Sequence, residues 1–418
     1  YPVSRRVLSL LRWIIQREVE PRPRWLASIY AQARHLAGNI EYHLMANHLL
    51  ENARALICAG LAFQGLEAER WLITGRAIMR EQLGEQVLAD GGHFERSPMY
   101  HSIVLEGLLD LVNFGDRLDR DFANDLSSTA RKMLAHLERV RHPDGQIALL
   151  NDSAHDIAPA PAELIAYGRR LGLLSGGDQA QGWARNSGLA FARDQAHGHY
   201  VVADLGPIGP DYQPGHAHAD TLSFELSLFG RRVVVDSGVS DYAPSAARRR
   251  ARSTLAHNTV VVDQADQSEM WSAFRVGRRA YPFGQCFRAL QGTVSFSASH
   301  KGYLRLPAPC VHRRQFRWRS GALSVTDQII GRGQHQAQSL VHLHPEVHGE
   351  LSGPTELRLS GSDGRELAIL RSRGASLWEC SEAVYSPTLG VEIPNQVWSL
   401  KAAARLPIHM SYELSWRE

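Results

Sequence analysis

The order of apolar and polar residues divides the chain into two parts with different periods. In roughly the first 180 residues, apolar side chains recur every three or four positions, as they do on one face of an amphipathic helix. Segments of this kind, separated from one another by Gly, Pro or Asp, are 41–63, 68–88, 101–118 and 121–140. Long helices with short connections predict an antiparallel helical bundle or an α/α toroid.

The pattern of apolar and polar residues changes after the glycine-rich stretch "LLSGGDQAQG" at 173–182, which we interpret as a linker. Beyond it, segments such as "TLSFELSLFG" and "RRVVVDSG" are short, rich in β-branched residues and bounded by Gly, Asp or Pro. They predict antiparallel strands, most simply a β-sandwich. We therefore predict an α+β protein with a helical domain over 1–178 and a sandwich over 179–418. The functional site is expected in the cleft between the two domains.

Composition and charge argue against several classes of protein. No apolar run approaches the roughly 20 residues of a membrane helix. The formal charge of +3 is too small to indicate a nucleic-acid-binding protein, and the arginines are not interleaved with base-stacking aromatic residues. The four cysteines match no zinc or disulfide framework. Two arginine clusters, at 248–252 and 313–314, either attract anions such as acidic sugars or form a solvated surface.

Histidines and aspartates at the ends of predicted strands form a candidate metal site. His216 and His218 lie in "HAHAD" and would project to the same side of a strand. Asp236 ends the apolar run of "RRVVVD", and His257 starts another strand. Two histidines and a carboxylate make a plausible zinc set, with Asp220 and His216 as rival ligands. The alternative is that Asp236 caps a turn and the histidines are hydrogen-bonded structural residues.

The helical part carries a second group of polar residues. Asn47 and His48 lie inside the helix predicted at 41–63, and Tyr100 follows a Ser-Pro that is typical of a helix start. Amide, imidazole and phenol groups facing inward are what a proton-abstraction site needs. The alternative is that the Asn-His pair marks the polar boundary of an amphipathic helix and that the tyrosine only packs.

Taken together, these motifs resemble the heparinase II/III-like superfamily of polysaccharide lyases, whose branches cleave heparan sulfate and alginate. The matching series is the Asn-His pair, "SPMYH", "HAHAD", "VVVDSG" and "RSTLAHNTV", and it runs from about Glu41 to about Pro345. The resemblance implies an incomplete α/α toroid packed on an antiparallel β-sandwich. The N-terminal helices that such enzymes usually carry would precede this sequence.

The resemblance also implies a role for each residue of the predicted site. Asn47 and His48 correspond to the pair that faces the substrate carboxylate, Tyr100 to the catalytic tyrosine and His216 to the histidine opposite it. The implied metal site, structural and usually occupied by zinc rather than calcium or another divalent ion, consists of His218, Asp236 and His257. Tyr242 corresponds to a second tyrosine of some alginate-cleaving members. Apart from the resemblance, we also expect Arg250, Arg252 and Glu95 to contact the substrate, the alternative for the two arginines being a surface role.

The predicted function is therefore β-elimination on a uronate-containing acidic polysaccharide. Preorganised donors would stabilise the charge that spreads onto the carboxylate when the C5 proton leaves. Whether Tyr100 or His216 is the base stays open. Two alternatives are a glycoside hydrolase using Glu95 and Asp152, and a non-catalytic glycan-binding or polysaccharide-biosynthesis accessory protein. The resemblance also implies a periplasmic or secreted location, and the oligomeric state is open.

Overall fold

The predicted helices are present in the computed structural model, which describes residues 1–18, 20–173, 179–374 and 377–417. In the described residues seven α-helices precede the first strand, and α3 to α6 are the four predicted ones: α1 (Pro2–Gln16), α2 (Pro23–Gly38), α3 (Ala46–Ala62), α4 (Leu66–Gln86), α5 (Pro98–Asn113), α6 (Arg120–Val140) and α7 (Pro161–Arg170). One short helix, α8 (Ala246–Arg252), lies among the strands. Helix α3 begins five residues later than predicted, directly after Met45, whose φ angle of 58° is not helical.

The strands follow in the second part of the chain, and every pairing between them is antiparallel. They are β1 (Gln181–Ala184), β2 (Leu189–Asp194), β3 (His199–Asp204), β4 (Phe224–Leu228), β5 (Arg231–Val234), β6 (Val260–Val262), β7 (Met270–Trp271), β8 (Arg275–Val276), β9 (Pro282–Leu290), β10 (Thr293–His300), β11 (Cys310–Arg319), β12 (Ala322–Gly331), β13 (Gln334–His342), β14 (Val347–Gly353), β15 (Glu356–Gly361), β16 (Glu366–Arg373), β17 (Trp378–Tyr385), β18 (Ile393–Arg405) and β19 (Ile408–Ser415). The predicted α+β class is confirmed.

The described chain divides into two compact units. The helical unit comprises Tyr1–Phe94, Tyr100–Ala135 and Ala162–Gly176, and the β unit comprises Glu95–Met99, His136–Pro161 and Gly177–Glu418. Two segments that the sequence assigned to the helical domain therefore belong to the β unit, because hydrogen bonds such as that from the Leu149 N–H to Glu225 hold them there. The predicted linker falls largely on 174–178, outside the described residues, so the boundary at 178/179 stays a prediction.

The core of the β unit lies between two sheets. A five-stranded sheet runs in the order β1-β2-β3-β4-β5, and an eight-stranded sheet runs in the order β14-β15-β16-β19-β12-β11-β10-β9. Apolar residues of both, such as Phe224 and Phe316, with ring centroids 5.5 Å apart, form one buried cluster. Strand β11 buries every second residue, as a strand does when one face covers a core. A third sheet has the order β17-β18-β13-β6.

The His-Ala-His stretch is not the strand that the sequence predicts. Residues 215–223 form an irregular loop, and β4 begins only at Phe224. Side chains satisfy the backbone of this loop: Asn151 accepts the N–H of His218, and Arg252 donates to the carbonyl of Ala217. The alternation argument for His216 and His218 was therefore wrong, because these long-range bonds replace a neighbouring strand.

Candidate active site

His216 is held between two carboxylates of the β unit. Its Nδ1 lies 2.9 Å from Oδ2 of Asp152, and its Nε2 lies 3.2 Å from Oε2 of Glu95. Both carboxylates are buried, whereas 17% of the His216 side chain is exposed. Buried groups therefore fix the orientation of an imidazole whose ring stays partly accessible to solvent.

Asp152 is the centre of a fully buried polar cluster. Arg248 donates to both of its oxygens, the Nη2 bond to Oδ2 being 2.8 Å, and Nε2 of His218 lies 2.8 Å from Oδ1. Burial alone would raise the pKa of Asp152, but Arg248 and the two histidines outweigh burial and hold that pKa well below its ordinary value. An ionised Asp152 is a hydrogen-bond acceptor for Nδ1 of His216, while Nε2 faces Glu95.

A short loop around Asn151 joins the two carboxylate-bearing segments. Nδ2 of Asn151 donates to the carbonyl of Arg96 at 3.2 Å, and Ser97 Oγ donates to the carbonyl of Asp152 at 2.6 Å. Arg96 and Asn151 both have positive φ angles, 60° and 55°. Such angles cost free energy in residues other than glycine, so the loop depends on these bonds for its shape.

Two aromatic rings lie near His216. The ring centroids of Tyr242 and Phe274 each lie 6.5 Å from that of His216, and they are 6.1 Å from each other. The Arg248 guanidinium carbon lies 5.1 Å from the Tyr242 ring and 5.3 Å from the Phe274 ring. Two flat apolar faces over a buried cation are suited to the face of a sugar ring.

The predicted metal residues lie together beneath this cluster, all fully buried. Nδ1 of His257 is 2.8 Å from Oδ2 of Asp236, and the rings of His218 and His257 are 5.3 Å apart. Burial lowers the pKa of His218 to about 3, so this ring is neutral. Its Nδ1 and the Nε2 of His257 have no hydrogen-bond partner within the described part of the chain.

These donors fit a zinc ion in part. Two imidazole nitrogens without partners, next to a carboxylate, are the ligand types that zinc prefers. Among the described residues, however, no group of three or more His, Cys, Asp or Glu side chains is arranged to hold a metal ion. The site therefore stays a prediction.

Asn47, His48 and Tyr100 belong to the helical unit. Asn47 lies buried in the first turn of α3, and Nδ1 of His48 is 3.4 Å from Oε1 of Glu41. Asn47 lines a small cavity together with residues of one face of α5, which are Ile103, Val104 and Gly107. Tyr100 precedes these residues by three, four and seven positions, so it lies on the same face of α5. Helix packing within this unit thus directs Asn47 towards the α5 face that carries Tyr100.

The four expected substrate contacts differ in their placement. Glu95 and Tyr242 adjoin His216, as described above. Arg250 is exposed and pairs with Glu392 at 2.5 Å. Arg252 is buried and donates to the carbonyls of Ala217 and Ser272, both at 3.1 Å, which argues for a structural role.

Sequence reasoning missed how Asp152 and Arg248 act. It considered Asp152 only as a hydrolytic carboxylate and Arg248 only as part of an anion-attracting cluster. One sequence signal could have indicated that Arg248 points inward with Arg252: the two are four residues apart and therefore share a face of any helix. Another was that Asp152 closely follows the apolar run "IALL", much as Asp236 follows "VVV".

Two family models match this chain. The family model "Heparinase II/III-like, C-terminal" matches residues 177–409, and "Heparinase II/III N-terminus" matches 21–161. A heparin-sulfate lyase of Pedobacter heparinus is 28% identical over 264 residues, which cover 57% of this chain and 39% of that protein. The chain thus spans about two fifths of the length of the curated relatives that it matches.

Solved structures extend the likeness to almost the whole chain. The crystal structure of heparan sulfate lyase HepC from Pedobacter heparinus superposes with a TM-score of 0.75 at 20% identity, covering 99% of this chain and 67% of that one. A crystal structure of heparinase III gives a TM-score of 0.80 at 18% identity, with coverages of 99% and 68%. At these identities the likeness shows the fold, an N-terminal helical toroid followed by a C-terminal β-sandwich, as predicted.

Proposed function

Because the chain belongs to the heparinase II/III-like family, we propose that it is a polysaccharide lyase that cleaves a uronate-containing acidic glycan by β-elimination. The relatives described as heparin-sulfate lyases make sulfated glycosaminoglycans the first substrates to test. Among the described residues, no helix is both long enough and apolar enough to cross a bilayer. A periplasmic or secreted location stays our prediction from the family resemblance.

The proposed reaction removes the proton at C5 of the uronate and expels the C4 oxygen, which leaves a C4–C5 double bond. Asn47 and His48 would donate hydrogen bonds to the uronate carboxylate, onto which charge spreads as the proton leaves. Tyr100 and His216 would exchange the protons, one as base at C5 and the other as acid at O4. Which of the two is the base depends on whether C5–H and O4 lie on the same face of the sugar.

The observation that best supports this proposal is the setting of His216. A buried, ionised Asp152 is the hydrogen-bond partner of Nδ1, and the ring is still partly exposed. An imidazole that is oriented by one carboxylate, has its second nitrogen beside another and stays partly exposed is suited to general acid–base catalysis.

The same geometry weakens the hydrolase alternative. Both oxygens of Asp152 accept hydrogen bonds from Arg248 and from a histidine, and its side chain is fully buried. It therefore cannot reach a sugar or a water molecule as base or nucleophile. A pair of catalytic carboxylates made of Glu95 and Asp152 is not supported.

The proposal is tested by incubating the purified protein with heparan sulfate, alginate, hyaluronan and bacterial exopolysaccharides. The expected product is an unsaturated uronate, detected by its ultraviolet absorbance. Tyr100→Phe should abolish this signal while circular dichroism stays unchanged. Reducing ends formed without the unsaturated chromophore would instead identify a hydrolase, and absence of any cleavage with tight glycan binding would identify a binding protein.

A structural zinc ion held by His218, Asp236 and His257 is part of the proposal. The metal would tie three loop and strand ends together beneath His216. Metal analysis of freshly purified protein should give about one zinc per chain, and chelation or His257→Ala should lower the melting temperature. His409→Ala, at an exposed histidine of β19, serves as the matched control. Fully active protein with well under one equivalent of metal would remove this site.

A further inference from the structure

A separate cavity of the β unit, which we call the arginine pocket, lies at the C-terminal end of α6. It has a volume of about 350 Å³ and is lined by residues 141–143, by the turn between β2 and β3, and by Arg193. None of its lining residues belongs to the candidate active site. Polar groups line it as much as apolar ones, so it differs from a packing defect between hydrophobic side chains.

One wall of the arginine pocket is a rigidly held guanidinium. Nη2 of Arg193 donates to the carbonyls of Glu138 and Arg139 at the end of α6. The guanidinium carbon also lies 4.8 Å from the ring centroid of Tyr200. Contacts on two sides fix the charge in place, so a ligand would not have to order this side chain on binding.

The wall of the pocket holds two arginines and one carboxylate, so its net charge is positive. Within the described part of the chain, neither Arg141 nor Arg193 forms an ion pair with a carboxylate. The Asp194 carboxylate in the wall is already engaged, because Oδ1 accepts the N–H groups of Ala196 and His197 and Oδ2 contacts the His197 ring at 2.9 Å. The hydrogen bond with His197 lowers the pKa of Asp194, so this carboxylate is ionised and places one negative charge in the pocket wall.

We propose that the arginine pocket binds an oxyanion, a sulfate or carboxylate group, through Arg141 and Arg193. Guanidinium groups present paired N–H donors that match the oxygens of these anions. One guanidinium held in place, that of Arg193, and a second from Arg141 line a cavity of this size and leave room for one such group and its neighbouring atoms. That the anion belongs to a glycan chain rests on the proposed function, whereas the anion chemistry itself does not.

The first test compares two variants that remove the same charge. Arg141→Gln changes a pocket residue, and Arg288→Gln changes an exposed arginine of β9. Inorganic sulfate is titrated into each folded protein by calorimetry at constant ionic strength. Arg141→Gln should weaken sulfate binding by about tenfold, because a hydrogen bond to a charged group is lost, and Arg288→Gln should match the unchanged protein. Equal affinities in all three proteins, or no sulfate binding at all, would overturn the proposal.

A second titration identifies the source of the anion. A sulfated heparan oligosaccharide is titrated into Tyr100→Phe with and without Arg141→Gln. If Arg141→Gln lowers the affinity for both sulfate and the oligosaccharide, the ligand of the pocket is a group of the glycan. If it lowers the affinity for sulfate alone, the pocket binds a free anion. Failure of the lyase proposal would show separately, as absence of unsaturated product from the unaltered protein that still binds sulfate.

Discussion

Two clusters in the β unit are built from the same kinds of side chain, and only one of them reaches the surface. In the first, Asp152 accepts hydrogen bonds from both Nη atoms of Arg248 and contacts two histidines. In the second, Asp327 accepts from Nε and Nη2 of Arg314 at 2.7 and 2.9 Å, and Nε2 of His312 lies 2.8 Å from it. In each cluster, a buried carboxylate thus accepts a bidentate pair of hydrogen bonds from an arginine and also contacts an imidazole.

The second cluster is closed. His300 is fully buried, and its Nδ1 accepts the N–H of Gly302 at 3.2 Å, so the proton lies on Nε2 and faces Nδ1 of His312 at 3.1 Å. Nε2 of His312 then donates to Asp327, which assigns every ring nitrogen a partner. His216 in the first cluster is partly exposed and faces Glu95 with its second nitrogen. The same side chains therefore make a sealed structural clamp in one place. In the other they hold a partly exposed imidazole, which we propose exchanges protons.

The largest expected effect comes from removing the accessible histidine. His216→Ala should lower kcat by about a thousandfold, since general acid–base catalysis contributes 10²–10⁴-fold. Its melting temperature should fall less than in the closed cluster, because Asp152 keeps Arg248 and His218 as partners and only Glu95 loses its imidazole. The rate of unsaturated-product formation and a thermal scan measure both. The matched change in the closed cluster, His312→Ala, should show the opposite pattern, with a large loss of stability. An active His216→Ala protein would end the comparison.

Next in size is the loss of a buried charge partner. Asp327→Asn leaves the Arg314 guanidinium buried without its counter-charge, which should cost about 3–5 kcal/mol of unfolding free energy. Urea denaturation followed by circular dichroism measures this. Replacing the pair together, Asp327→Leu with Arg314→Met, should restore most of the stability, because no charge is then stranded. A single variant that loses under about 1 kcal/mol would contradict the role of the clamp.

Periodicity in the sequence predicts the helices and strands because local contacts decide them. The irregular loop around His216 was not predictable in this way, since Asn151 and Asp152, more than 60 residues away, hold its shape. The closed cluster gives no local signal either. Arg314 and Asp327 meet because they are partners in the register of β11 and β12, which a linear sequence does not display. The motif spacing did select Asn47, Tyr100 and His216, whose roles stay predictions.

A smaller effect concerns pH. Burial lowers the pKa of both His300 and His312, so the folded protein keeps these rings neutral while the unfolded chain protonates them below about pH 6.5. The unfolded state then binds more protons, and stability should fall as the pH decreases from 7 to 5. His300→Gln should reduce this slope by up to about 1.4 kcal/mol per pH unit, measured by urea denaturation at each pH. His409→Gln, at an exposed position of β19, should leave it unchanged; an unaltered slope in His300→Gln would refute the assignment.

The smallest effect separates two arginines of α8. Arg248 is fully buried against Asp152, whereas 46% of the Arg250 side chain is exposed beside Glu392. An exposed ion pair contributes little, so Arg250→Gln should change the unfolding free energy by less than about 1 kcal/mol. The kcat of this variant should be unaltered. Its KM for an acidic glycan tests the predicted substrate contact: a tenfold rise in KM with unchanged stability would mean that the guanidinium contacts the glycan. If the variant and the unaltered protein have equal KM values, Arg250 is a surface charge that does not contact the glycan. Of the arginines in this cluster, only the buried ones would then contribute to stability or activity.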